Sequence, residues 1–490
     1  MTGKGVMAGH EASMTSKGSK TDGRRSGARW YTAVWRWHFY AGLFCIPFVI
    51  WLALTGTIYL WRPQLESWLD RPYDRLPVAG WTVTTNAGAD ADADADADAE
   101  VGAAMRAVPG SSLRTYVLPD DPRQAVRVIV TANGIDTRVY VDPRSHAILK
   151  VIDEDERPLN VVMRLHGELL AGASGSYLVE LAACWAIVML LTGLYLWWPR
   201  GRNGLAGVLY PRLRGGRRVF WRDIHATVGI WVSVFALGLI VTGLPWATAW
   251  GTYLGEVRIL TGTAQGPVDW TIGGRPATPD ADAMPGPHAG HAGMAMDSTM
   301  RKSPVRPGEL DRVIATVRPL RIAPPVLIAP PAHDDRVWTI SSNAADRPLR
   351  LEVQVDGGTG RVLGHVDFAD RHWIDRAIGY GIAVHEGALF GLANQLLGTL
   401  TALLLVLLAV SGAILWWRRR LPGLLGAPLP STRPRFRVGL VAAIVTLGVC
   451  MPLFGASLLA VLAAEATVLR RIPATRRWLG LERATTSRQP

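Results

Sequence analysis

The sequence predicts an α-helical membrane bundle of four core spans, extended by a C-terminal kinked span or hairpin and carrying two small α+β domains outside the membrane, all built by internal duplication. Three observations predict it. The 490 residues are 49% hydrophobic and only 19% charged, too apolar for an ordinary soluble enzyme of that length. The apolar residues gather in almost uncharged blocks that meet the roughly 20 residues a helix needs to cross a bilayer. The two halves of the chain also repeat each other.

Taken in order, residues 1–34 are a basic leader, 35–61 the first span, 62–176 the first outside domain and 177–198 the second span. A basic loop at 199–222 leads to the third span at 223–250, the second outside domain at 251–386 and the fourth span at 387–417. After a basic loop at 418–437, the apolar stretch 438–469 is long for one span and is interrupted by Met451-Pro452, which leaves a kinked helix and a short hairpin both open. A basic tail at 470–490 closes the chain. The first apolar block ends in Leu60-Trp61-Arg62-Pro63 without the small-residue cleavage site of a secretory signal, so it is read as a retained anchor.

Short loops rich in Lys and Arg stay cytoplasmic, which places the leader and both basic loops inside and the two long segments outside. The expected location is the inner membrane of a bacterium, multi-pass, with the N-terminus cytoplasmic and two large periplasmic domains. The net charge of +12 is then a topology signal, and no nucleic-acid partner is implied. Cys45, Cys184 and Cys450 all fall in apolar segments, so neither outside domain is expected to carry a disulfide.

The duplication is visible residue by residue. Spans one to four carry Leu54-Thr55-Gly56-Thr57, Leu191-Thr192-Gly193-Leu194, Val241-Thr242-Gly243-Leu244 and Val410-Ser411-Gly412-Ala413 near one end. Outside the membrane, Val139-Tyr140-Val141-Asp142 with Ala147-Ile148-Leu149 matches Val353-Gln354-Val355-Asp356 with Arg361-Val362-Leu363, each reading as strand, tight turn, strand.

Four of the eleven histidines follow the same duplication. His38 and His225 stand at the cytoplasmic starts of spans one and three, and His166 and His385 just outside spans two and four. Gly42 and Gly229 each follow a histidine by four residues, which on a helix puts the glycine on the histidine's face and lets a flat macrocycle approach the backbone. Imidazoles from two helices at one depth are suited to the axial positions of a low-spin b-type haem, which exchanges electrons and leaves no site for oxygen. Two pairs predict two haems, with His38, His225, His166 and His385 as the iron ligands, one haem near each membrane face. Anchoring of helix ends at the interface is the plainer role for such residues.

These segments resemble the PepSY-associated transmembrane family, over roughly 30–420 and again at Met451-Pro452-Leu453-Phe454-Gly455. The resemblance implies small α+β PepSY-like domains on a helical membrane bundle. It also implies electron transfer from the cytoplasmic side to a ferric siderophore or another metal chelate outside, since iron-regulated members include reductases of ferric siderophores. Reduction releases iron because hard oxygen ligands hold the ferric ion better than the ferrous. Arg144-Ser145-His146 stands where the family has an aromatic residue, Thr and Gly, which predicts a different turn in the first outside domain. No Gly-x-Gly-x-x-Gly follows a strand, so the electron donor is expected to be another molecule, a membrane quinol or a cytoplasmic flavoprotein.

Two other classes compete. A siderophore transporter is expected to carry polar groups at mid-membrane, yet none is ionisable between His38 and Arg62 or between His225 and Glu256. A regulatory protein binding peptides or proteases through its PepSY-like domains would leave the paired histidines unused. In the loops, Asp90–Glu100 is an Ala-Asp alternation expected to be disordered. His288, His291, Met294 and Met296 form a weaker candidate for soft-metal capture, set against a solvated linker. His333, Arg336, Trp338, Arg123 and Arg127 could face a chelate but read more simply as solvated strand residues.

Overall fold

The computed structural model describes residues 11–77, 97–199, 204–264, 270–272, 275–276, 305–332, 335–428 and 438–481. In chain order it begins with helices α1 (Glu11–Leu60), α2 (Arg62–Leu69), α3 (Arg71–Asp74) and α4 (Ala97–Ala107), then strands β1 (Ser112–Leu118), β2 (Val126–Ala132), β3 (Ile135–Val141) and β4 (Ile148–Asp153). Helices α5 (Pro158–Glu168), α6 (Gly172–Trp197), α7 (Gly216–Gly243) and α8 (Thr248–Leu260) follow, with a two-residue hairpin of β5 (Thr271–Ile272) and β6 (Arg275–Pro276). The second half continues with α9 (Glu309–Val317), β7 (Val326–Ala329), β8 (Val337–Ser342), β9 (Leu351–Asp356), β10 (Val362–Asp367), α10 (Trp373–His385) and α11 (Gly391–Arg419). The chain ends with α12 (Val438–Cys450), α13 (Pro452–Ala464) and α14 (Pro473–Trp478). Among the described residues, five helices are long and apolar enough to cross a membrane: Trp30–Leu60, Gly172–Trp197, Gly216–Trp246, Gly391–Arg419 and Pro452–Leu469.

The chain divides into two compact units. The first comprises Met1–Ala53, Glu180–Ile240 and Leu403–Pro490, and the second Leu54–Val179 and Val241–Ala402.

In the first unit, the open question about the C-terminal apolar stretch is answered by Gly448 and Gly455. A straight helix separates residues seven apart by about 10 Å. Here a Cβ on Gly455 would lie 2.9 Å from the Gly448 carbonyl oxygen, so the chain reverses at Met451-Pro452 and forms a hairpin. Trp185 holds it, with its ring edge-on to Phe454 at 5.2 Å and its Nε1–H donating to Ser457 Oγ at 3.1 Å. The tail returns to the start of the first span, where Arg36 donates to the Gly480 carbonyl and the Tyr40 hydroxyl to that of Leu479. The basic stretch before the third span is partly helical rather than loop, since α7 begins at Gly216 and takes in Arg217, Arg218 and Arg222.

The second unit holds the β-structure. The two halves do not fold as separate sheets. Their strands form one eight-stranded sheet in the order β10-β9-β8-β7-β1-β2-β3-β4, joined where β1 pairs antiparallel with β7 through Tyr116–Ile328, Val117–Leu327 and Leu118–Val326. The join removes two strand edges and merges two small cores into one. Val128, Val130, Val139 and Val141 from the first half meet Leu310, Ile328, Trp338 and Val355 from the second, all but excluded from solvent. Helices α4 and α9 contribute to this core from equivalent places in the repeat.

Two expectations change here. Ala97–Glu100, the end of the supposedly disordered Ala-Asp run, is the first turn of α4, with Ala97 and Glu100 buried and Glu100 accepting from the Tyr116 hydroxyl at 2.8 Å. Residues 90–96 lie outside the described residues. The turn after Asp142 does not differ from its counterpart after Asp356. In both, the Asp carboxylate accepts from the backbone two and three residues on, and the fourth residue after it donates back to the Asp carbonyl. His146 adopts φ 54° where Gly360 has φ 72°. A side chain in that region costs about 1–2 kcal/mol. Gly360→Ala should therefore destabilise the sheet by about that amount, read from the denaturation midpoint, while His146→Gly should be neutral or stabilising; equal losses for both would contradict this account.

Candidate functional site

Each unit contains one histidine pair. In the first unit the rings of His38 on α1 and His225 on α7 have centroids 6.4 Å apart and planes at 75°. In the second, His166 on α5 and His385 at the end of α10 have centroids 6.4 Å apart and planes at 74°. Two unrelated sets of helices thus give the same geometry.

The supports of the four rings repeat as well. His38 Nδ1 lies 3.0 Å from the Met189 carbonyl and 3.2 Å from Thr192 Oγ1, and His225 Nδ1 lies 3.2 Å from the Leu408 carbonyl and 3.1 Å from Ser411 Oγ. His166 Nδ1 is 3.0 Å from Thr55 Oγ1, and His385 Nδ1 is 3.1 Å from Thr242 Oγ1. The glycine after each hydroxyl residue meets the same ring. A Cβ on Gly56 or Gly193 would lie 3.0 Å from the Cε1 of His166 or His38, on Gly243 3.1 Å from that of His385, and on Gly412 3.3 Å from that of His225.

Neighbouring ion pairs fix the elements that carry the histidines. At the start of α5, Arg157 bridges Glu66 at 3.2 Å and Glu154 at 3.4 Å. At the start of α10, Asp375 accepts from Arg258 at 2.7 and 2.8 Å and from Trp270 Nε1 at 2.9 Å, with both charged side chains buried. Two residues before His225, buried Asp223 takes Arg212 at 2.7 Å and Arg222 at 2.8 Å. The Trp246 ring stands edge-on to His385 at 5.7 Å.

The pairs suit a metal held by two axial imidazoles. With about 2 Å for each imidazole–metal bond and about 1.1 Å from nitrogen to ring centre, two rings on one metal have centroids about 6.2 Å apart. Holding Nδ1 in a hydrogen bond leaves Nε2 as the ligating nitrogen, the arrangement second-shell partners commonly impose. Each pair presents two imidazole nitrogens, the number of protein ligands a bis-histidine haem takes, and among the described residues no group of three or more His, Cys, Asp or Glu side chains is placed to hold a metal ion.

The glycines beside the imidazoles are Gly56, Gly193, Gly243 and Gly412. Gly42 lies instead against Met189, and Gly229 against Leu408, at ordinary contact distances of 3.8 and 3.6 Å for an added Cβ. His288, His291, Met294, Met296 and His333 lie outside the described residues. Trp338 is fully buried in the sheet core and presents no surface to a ligand. Arg336 binds Glu309 at 2.7 Å, Arg123 binds Asp121 at 3.1 Å, and Arg127 pairs with Asp74 and Asp70. Sequence reasoning passed over Glu180, an acid buried within α6, although a lone carboxylate in an apolar run was the signal for it.

Several membrane-crossing helices joined to one sheet by a repeated helix–strand unit define a multi-pass membrane protein with an internal duplication. A family model described as the PepSY-associated TM region matches residues 35–419, and the chain belongs to that family. No curated protein matches the chain.

Proposed function

We propose that the protein is a haem b electron-transfer protein of the bacterial inner membrane, a haem-dependent ferric-chelate reductase that reduces a periplasmic ferric siderophore or other metal chelate for iron uptake. The observation that carries this reading is the pair of equal histidine sites, 6.4 Å between centroids with planes at 75° and 74°, in two different units. His38 and His225 would hold one haem and His166 and His385 the other. A haem held by each imidazole pair would supply single-electron exchange with no position open to oxygen. The chain's own part is to hold four imidazoles in fixed planes, His38 and His225 on the apolar helices α1 and α7 and His166 and His385 on the shorter helices α5 and α10. The basic leader and loops argue for His38 and His225 on the cytoplasmic side, where a quinol or flavoprotein donor would act.

The test is spectroscopic. Protein purified with its native cofactors should show low-spin haem b at two per chain by pyridine haemochrome, and no haem at all would sink the reading. In intact spheroplasts, protease should cut within the long segments 62–176 and 251–386 and spare the basic stretch 199–222; cleavage of the latter from outside would reverse the orientation.

A second reading, peptide or protease binding by the PepSY-like sheet, is favoured by its two edges. Strand β4 exposes Ile148, Leu149 and Val151, and β10 exposes Val362 and Leu363. Such edges can accept an added strand. A haem-free protein that binds extended peptides would support this reading over the first.

A further inference from the structure

We infer that Thr55-Gly56, Thr192-Gly193, Thr242-Gly243 and Ser411-Gly412 are four imidazole clasps, positioning residues that fix the tautomer, the ring plane and the donor strength of His166, His38, His385 and His225. The inference rests on the haem reading above and adds residues which that reading does not need.

Proton directions settle the first pair. A carbonyl oxygen can only accept, so the contacts of His38 Nδ1 with Met189 O and of His225 Nδ1 with Leu408 O require a proton on Nδ1. The hydroxyls are already committed as donors. Thr192 Oγ1 donates to the Val188 carbonyl at 2.7 Å or the Met189 carbonyl at 3.0 Å, and Ser411 Oγ donates to the Leu408 carbonyl at 2.9 Å. Each hydroxyl oxygen therefore offers its lone pairs to the imidazole and accepts from Nδ1–H. The lone pair of the ring is left on Nε2. Thr55 and Thr242 stand at the equivalent places in the repeat, 3.0 and 3.1 Å from the Nδ1 of their histidines.

Drawing the Nδ1 proton toward acceptors raises the basicity of Nε2 and strengthens its bond to a ferric ion relative to a ferrous one. The clasp therefore lowers the midpoint potential of the haem it serves. The glycine has a separate task. It lets the ring lie 3.0–3.3 Å from where a Cβ would stand, so close that a methyl group would press the ring aside, and so sets the angle between the two imidazole planes. Small residues are common where membrane helices meet. General helix packing does not account for a hydroxyl on the same nitrogen and a glycine on the same ring edge at all four histidines. Gly238, on α7 between His225 and Gly243, has open space where its Cβ would be.

The experiment is potentiometric titration with low-temperature electron paramagnetic resonance on the full-length haem-loaded protein. Thr192→Val and Ser411→Ala should each raise the midpoint potential of one haem and leave the other at its wild-type value, whereas Thr55→Val and Thr242→Val should shift the second. Gly193→Ala should move the low-spin signal that reports the angle between imidazole planes, and Gly238→Ala should not. If Thr192→Val releases a haem, with affinity lowered roughly 10–100-fold, Thr192→Ser should restore it. Wild-type potentials and signals in Thr192→Val, or haem loss that Ser does not rescue, would overturn the clasp. A wild-type protein without haem would instead defeat the haem reading beneath it.

Discussion

On the haem reading, His385→Ala and His166→Ala should each yield a protein that retains one low-spin haem of two and reduces an added ferric chelate no faster than a haem-free control. The expectation follows from the equality of the two sites. If the four histidines were separate anchors of helix ends, no pairwise behaviour would result, and each substitution would cost only local stability. As two ligand pairs they act as units, so His166→Ala and His385→Ala share one phenotype, and His38→Ala and His225→Ala share another. In the second set, a chemical reductant should still reach the remaining haem while the physiological donor does not. His365, exposed on β10 and bonded to Asp367 at 3.1 Å, belongs to neither pair, so His365→Ala should keep both haems and full activity. Four alanine variants that all keep two haems per chain would return the histidines to the role of interfacial anchors.

Much of this arrangement was legible because it is written twice. The apolar blocks stand out by length alone, and the matched placement of His38 with His225 and of His166 with His385 follows from aligning the halves. The glycines four residues after His38 and His225 were easy to see and meet other side chains, whereas the hydroxyl-glycine pairs were seen only as span endings. Sequence spacing relates residues within one helix; Thr192 and His38 are neighbours only after two helices pack. The same limit hid the continuous sheet, because the pairing of β1 with β7 joins segments about two hundred residues apart and leaves no local trace. Ala97–Glu100 was misread for another reason. Its low complexity masked a helical period in which Ala97, Val101 and Ala104 all enter the core. His146 misled by identity, since a histidine accepts the left-handed conformation that its counterpart fills with glycine.

Asp375→Ala should destabilise the second unit by about 3–5 kcal/mol, because it leaves the Arg258 guanidinium buried without its carboxylate. The contact is bidentate, with N–O distances of 2.7 and 2.8 Å, and Trp270 Nε1 supplies a third hydrogen bond to the same carboxylate. Arg258 and Asp375 are 3% and 0% exposed, so water cannot replace the lost partner. The consequence should reach the candidate site, because Asp375 lies in the first turn of α10 and His385 is its last residue. Loosening the start of that helix frees the far end to move away from His166. Removing both charges tests whether the ion pair or its broken half is responsible: Arg258→Met with Asp375→Leu replaces a buried pair by apolar volume and should recover most of the loss. Thermal unfolding of the purified protein measures the stability, and the spectrum of the haem assigned to His166 and His385 measures the displacement. Asp375→Ala melting at the wild-type temperature with both haems unchanged would show that α10 is held by its packing alone.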